Sequence, residues 1–205
     1  VALTVADVVN RALSYVGSRL FITDINEDSE QAIVAKVHYS ACVAMVLGER
    51  WWNFAEASAL LNRLSITAPS GWSFAYQLPA DLLPGKQRFI YPGARPGLTR
   101  GSKDEVPFSL RWISGSGQTL LTDHESPELL YTRLVTELVY WPEKAADALA
   151  WCLAPRLALG LNVDLRKGVA FEQQYQSMLE QAMADDMNSV RRGPELSSSY
   201  QAGRG

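Results

Sequence analysis

The first hydrophobic rhythm along the chain is helical. Val8, Ala12 and Tyr15-Val16 recur at three- and four-residue steps and form one apolar face. Thr4 stands before them as an N-cap. Asp7, three residues on, puts a negative charge on the first turn, where the helix favours it. Gly17 closes the helix, because the position after the last turn takes a left-handed backbone. Residues 18–26 read as a loop. Ser29 then caps a second helix running from Glu30 to Leu47, with an apolar stripe of Val34, Val37, Ala41, Ala44 and Gly48. The alanines of this helix permit close approach of another helix. His38 within it reads as a packing or interface residue.

The period then changes. Residues 49–61 crowd three large aromatics into Trp51-Trp52-Asn53-Phe54. Each large apolar side chain is worth roughly 1.5–3 kcal/mol when fully buried. The stretch therefore reads as a junction pinning the second helix to a β region, with Trp52 and Phe54 inward. A hot spot for a neighbouring subunit and a stacking platform for sugars or bases stay open beside that. From Ala55 to Thr67 the chain reads as extended, against the helix propensity of Ala-Glu-Ala-Ser-Ala-Leu-Leu. Trp72 to Leu78 alternates aromatic and small residues in strand fashion, and Pro79 ends it. Phe89 to Tyr91 is a short strand. Phe108, Leu110 and Trp112 alternate with polar neighbours as a half-buried strand. Residues 114–117 turn the chain into a hairpin partner at Thr119–Thr122, and Leu129 to Val135 adds another strand.

The helical period returns near Trp141-Pro142, where proline suits the first turn. Leu149, Leu153, Leu157 and Leu161 make an i+4 ladder. Pro155 interrupts it and predicts a kink. Asp164 caps a final helix whose stripe is Phe171, Tyr175, Met178 and Ala182. The pattern predicts an α+β protein with three parts. Residues 1–54 and 140–188 form a helical bundle from the N- and C-terminal helices. Residues 55–139 form a small central antiparallel β domain, and residues 189–205 an extended C-terminal tail.

Composition sharpens this in a few places. The 205 residues suit one domain, or one domain with an extension, and 47% hydrophobic content supports a packed core. A net charge of −3 argues against a dedicated nucleic-acid binder. One stretch runs the other way: Lys86, Arg88, Arg95, Arg100, Lys103 and Arg111 face only Asp104 and Glu105 between residues 86 and 111. It reads either as a solvated loop or as a contact for an acidic partner or DNA, through Arg88, Arg95, Arg100 and Lys103. No apolar run approaches the roughly 20 residues of a membrane span, and no leader pattern opens the chain. Cys42 and Cys152 read as buried free thiols rather than a disulfide. His38 and His124 have no partner at metal-ligand spacing. Residues 189–205 cannot bury enough apolar surface to fold alone. Their Arg191, Arg192, Leu196 and Tyr200 are candidates for ordering on a partner.

No phosphate-binding loop, nucleophile elbow or zinc-binding helix is present. The carboxylate pairs Asp123/Glu125 and Asp185/Asp186 read as solvated surface acids, since glycan hydrolysis needs two carboxyls set across a cleft. No catalytic, cofactor-binding or metal-binding residue emerges.

Several features resemble one family in order. They are the helix ending in Trp52-Asn53-Phe54-Ala55, then Trp72-Ser73-Phe74-Ala75-Tyr76-Gln77-Leu78-Pro79-Ala80-Asp81. Leu121-Thr122-Asp123 follows before a tyrosine-bearing strand. Trp141-Pro142 then leads to Asp147-Ala148-Leu149-Ala150-Trp151 and a closing helix with Tyr175. The ordered set resembles the head-to-tail adaptors, or tail tubular protein A-like proteins, of short-tailed bacteriophages. The basic Gly/Pro-rich loop and the tail match least well. The resemblance implies a helical bundle with a small β domain, assembled as a dodecameric ring between the portal protein and the tail nozzle protein. Genomic DNA would pass through the ring without sequence-specific binding. The protein would be made in the host cytoplasm, end in the virion, and need no cofactor or membrane. The C-terminal segment would reach the portal, which gives Arg191, Arg192, Leu196 and Tyr200 a partner. Two other classes compete: a virion cell-wall glycan hydrolase and a small DNA-binding module. The first would clear peptidoglycan, and the second would bind DNA in a salt-dependent way.

Overall fold

The computed structural model describes residues 2–93, 106–162 and 168–189. Reciprocal capping starts the first helix, α1 (Val5–Tyr15). The Thr4 hydroxyl accepts from the Asp7 N–H at 3.2 Å, and the Asp7 carboxylate accepts from the Thr4 N–H at 2.9 Å. Gly17, at φ +82°, ends it as expected. The Ser29 hydroxyl accepts from the Ala32 N–H and opens α2 (Glu30–Glu49). A 3-10 turn at Leu138–Tyr140 precedes α3 (Glu143–Gly160), and Pro142 occupies its capping position rather than its first turn. Helix α4 spans Gly168–Ser189. Asp164 and most of the tail lie outside the described residues.

Helix α3 is the hub, packed against α1, α2 and α4. Its Ala145, Ala146, Ala148, Ala150, Ala154 and Ala158 are all buried beside Leu149, Leu153 and Leu157. Small side chains on every flank let three helices approach one axis closely. Gly160 shows how closely: a Cβ there would stand 2.4 Å from Val34 of α2. Pro155 leaves the Trp151 carbonyl without its usual donor, yet α3 continues past it to Gly160.

The expected stripe of α2 is corrected. Val37 is 69% exposed and Ala41 is also outward, while Ala32, Ala35, Cys42, Val43, Val46 and Leu47 face the core. Apolar residues surround this helix almost completely. A 3.6-residue period therefore fits several faces, and only the position of α3 selects one.

The β region is two small antiparallel sheets rather than one. Strands β1 (Glu56–Leu60), β4 (Leu82–Pro92) and β7 (Pro127–Arg133) form the first, in the order β1-β7-β4. Strands β2 (Asn62–Arg63), β3 (Phe74–Gln77), β5 (Ser109–Ile113) and β6 (Gly117–Thr122) form the second, in the order β2-β3-β6-β5. Tyr76 and Leu120 from one sheet meet Ile90, Leu129 and Tyr131 from the other in a second core. The whole arrangement is mixed α+β.

Two strand readings are corrected. β4 is far longer than Phe89–Tyr91 and runs through Pro84 and Gly85. Irregular register between Leu82 and Phe89 absorbs both residues, and Gly85 sits at φ +76°. Trp112 is 80% exposed, not half-buried, because β5 is an edge strand and Trp112 lies near its hairpin end.

Candidate functional site

The Trp51-Trp52-Asn53-Phe54 segment joins the two cores. Helix α2 ends at Glu49, and Arg50 is already extended. The Trp52 indole turns back and donates to the Val46 carbonyl at 2.8 Å, satisfying one of the acceptors every helix C-terminus leaves open. Phe54 lies between Trp52 and Trp141, with ring centroids 5.4 Å away on each side. Trp141 repeats the Trp52 device, donating to the Val135 carbonyl. Trp52 is fully buried, Phe54 is half-buried, and Trp51 is 40% exposed with its ring edge against Phe89. The inward reading of Trp52 and Phe54 stands.

Two charged side chains clamp the backbone of this segment from opposite sides. Asp186, in the last turn of α4, accepts from the Asn53 N–H at 2.6 Å and from the Phe54 N–H at 3.3 Å. The Asn53 amide answers by donating to the Asp186 carbonyl at 2.8 Å. From the β side, the Arg88 guanidinium donates to the Trp52 carbonyl at 3.0 Å and to the Thr132 hydroxyl at 3.1 Å. It also pairs with the Glu56 carboxylate and lies 5.8 Å from the Trp51 ring.

This corrects two readings. Arg88 is 6% exposed and ties β4 to β7, β1 and Trp52, so it is no outward contact for a partner or DNA. Asp186 is 2% exposed and holds two backbone donors, so it is not a solvated acid. Its neighbour Asp185 is the surface group, bridged to Lys144 at 2.8 Å. Sequence adjacency concealed opposite roles. Arg95, Arg100, Lys103, Arg191, Arg192, Leu196 and Tyr200 lie outside the described residues.

The arrangement is chemically quiet. Among the described residues no cluster of three or more His, Cys, Asp or Glu side chains could hold a metal ion. Asp123 accepts from the Ser73 N–H and hydroxyl, tying the chain just before β3 to the chain just after β6. Burial pushes the Tyr131 phenol up to about 12, helped by its hydrogen bond to Asp81. Burial also raises Tyr15, which donates to Asp147 and so ties α1 to α3. These phenols keep their protons and serve as structural donors.

The surface offers more than the interior. Ile33 is 53% exposed and Val37 is 69% exposed on the outer face of α2, one turn apart. A helix that buries one face against α3 thus presents a second apolar face outward. No protein-family model and no curated protein matches the chain.

Proposed function

We propose that the chain is a structural subunit of a phage head-to-tail connector, which assembles as a ring between portal and tail nozzle and turns over no substrate. The observation that carries this reading is the outer face of α2, where Ile33, Val37 and Ala41 are presented on a long helix braced by α3. Clustered apolar surface of this kind marks association. The ordered sequence resemblance supports the same reading, since it implies a helical bundle carrying a small β domain. In this proposal α2 meets a neighbouring copy, and Arg191, Arg192, Leu196 and Tyr200 reach the portal. The net charge of −3 suits a channel wall over which DNA slides without adhering.

The test is to mix the protein with portal and view the product by electron microscopy. Rings on the portal are expected. Val37→Glu should keep the monomer's circular dichroism and melting temperature while abolishing rings. A chain lacking residues 190–205 should keep its fold and lose portal attachment. Failure of the unaltered chain to form a ring on portal overturns the reading.

A further inference from the structure

On its outer side α2 carries a line of apolar side chains at four-residue steps: Ile33, Val37, Ala41 and Met45, all exposed. Residues so spaced follow one another along a helix surface. The line ends at Glu49, also exposed, one further step of about 6 Å along the axis. Ala41 is its small member, so the surface dips between Val37 and Met45. If this face met its own counterpart, the contact would be isologous and assembly would stop at a dimer. A ring needs α2 to meet a different surface of the next copy. Copies related by rotation stand at one height and one radius. That surface therefore belongs to the helical bundle rather than to the second sheet, which carries Trp112.

The connection from α1 to α2 fits this requirement. Leu20 is 63% exposed and Phe21 56% exposed, and neither joins the core. The next residue, Ile22, is buried and held from both sides. Its N–H donates to the Asn10 side-chain oxygen at 2.8 Å, and its carbonyl accepts from the Asn10 amide at 2.8 Å. The Leu20 N–H donates to the Ser18 hydroxyl at 3.2 Å. Further on, the Glu27 carboxylate accepts from the Thr23 N–H at 2.8 Å and from the Ser29 hydroxyl at 2.8 Å, which ties the loop to the cap of α2. The loop is thus fixed by hydrogen bonds while its two largest apolar side chains stay outside. An apolar anchor held in place before binding loses little freedom on docking. Arg19, exposed, precedes the pair, and neither Arg19 nor Glu49 has an ion pair among the described residues. The other exposed pair, Val139 and Tyr140, already has the Arg133 guanidinium 5.9 Å from the Tyr140 ring.

We infer that the Leu20–Phe21 knob of one copy seats on the outer face of α2 of the next. Phe21 fills the dip at Ala41, Leu20 lies against Met45, and Arg19 pairs with Glu49. The apolar pair supplies the burial, with an aromatic anchor of the kind that dominates interfaces. The charge pair sets direction and register, because the reversed placement would leave Glu49 without its cation. The contact joins two different patches, so each copy keeps one knob and one groove free for further copies, and the chain of contacts closes into a ring. This contact rests on the connector reading for its neighbouring copy and adds the surface that the copy presents.

The test is disulfide trapping between full chains, with Cys42 and Cys152 buried in the core. Phe21→Cys protein is mixed with Ala41→Cys protein, with and without portal, and oxidised. Expected is a covalent dimer whose digest joins residues 21 and 41. A chain carrying both substitutions should give a ladder of multimers on non-reducing electrophoresis. Arg19→Glu should lower the cross-linking yield several-fold, and adding Glu49→Arg should restore it. The contact is overturned if Ala41→Cys joins mainly to itself, if Tyr140→Cys joins to Ala41→Cys in preference to Phe21→Cys, or if rings form on portal without the 21–41 link. A 21–41 link without rings on portal supports the contact and sinks the connector reading alone.

Discussion

Trp52 and Trp112 sit in similar sequence surroundings and meet opposite fates. Both stand in stretches that carry aromatic and aliphatic residues, Trp52 shortly before β1 and Trp112 within β5. Trp52 is fully buried, with its indole N–H on the Val46 carbonyl and its own carbonyl held by Arg88. Trp112 is 80% exposed, opposite Gln118 across the β5–β6 hairpin. The difference lies in what each position faces. Trp52 is held by Val46 of α2, Arg88 of the first sheet and the Phe54 ring, while Asp186 of α4 fixes the two residues that follow it. Trp112 lies on an edge strand with one neighbour, at the end of the second core. Aromatic density marks where burial can be gained, and the number of elements meeting there decides whether it is.

Trp52→Ala should break this contrast most severely. Truncating a buried Trp typically costs about 3–5 kcal/mol, a large share of the roughly 5–15 kcal/mol that holds a domain together. It would also free the Val46 carbonyl and remove one ring from the Trp52–Phe54–Trp141 stack. Urea unfolding followed by far-UV circular dichroism is the measurement. A loss under about 1 kcal/mol, the ordinary size for a point mutation, would mean that the junction does not unite the bundle with the β layer.

Asp186→Ala comes next. It leaves the Asn53 and Phe54 N–H groups buried without an acceptor, at about 1–3 kcal/mol for each orphaned donor. Asp186→Asn keeps one acceptor oxygen and should lose less. Asp185→Asn, one residue away, removes an exposed bridge to Lys144 and should cost under about 1 kcal/mol. Equal losses at the two positions would erase the distinction between clamp and surface acid. Hydrogen exchange at the Asn53 and Phe54 amides gives a second readout, since both should lose protection in Asp186→Ala and keep it in Asp185→Asn.

The elements that were legible in the sequence owed their visibility to local chemistry. Thr4 with Asp7, Ser29 and Gly17 act within a few residues of themselves, so the bounds of α1 and the start of α2 could be read directly. The Phe171–Tyr175–Met178–Ala182 stripe of α4 was legible in outline because polar residues flank Phe171 and Tyr175, but Leu179 rather than Met178 takes the fully buried place between Tyr175 and Ala182. The outer face of α2 was not, because its apolar residues leave no polar side to orient it. β4 was hidden by Pro84 and Gly85, which signal a break that irregular pairing with β7 absorbs. Asp186 and Arg88 were misread for a common reason. Asp186 meets Asn53 across 133 positions, and Arg88 reaches its partners across 32 to 44. Nothing near a carboxylate or guanidinium in the chain announces a distant partner that buries it. Trp52 and Phe54 escaped this limit because apolar side chains need only an interior, not a particular donor or acceptor.

The smallest expected effect falls on the other member of the comparison. Trp112→Ser removes a large side chain that touches little. A Cβ on Gly117 would lie 3.9 Å from the indole, ordinary van der Waals contact, so the ring rests over the hairpin end without being enclosed. Surface substitutions of this kind fall within about 0.5 kcal/mol of zero, and the loss of strand propensity on an edge strand is of similar size. The unfolding midpoint and slope should therefore match those of the unaltered chain. The substitution should still register by fluorescence, because acrylamide quenching depends on solvent exposure and Trp112 is the most exposed tryptophan among the described residues. Quenching should fall in Trp112→Ser while stability holds. A drop in stability above about 1 kcal/mol, twice the ordinary surface limit, would place Trp112 against other parts of the chain. The contrast with Trp52 would then be one of degree rather than of kind.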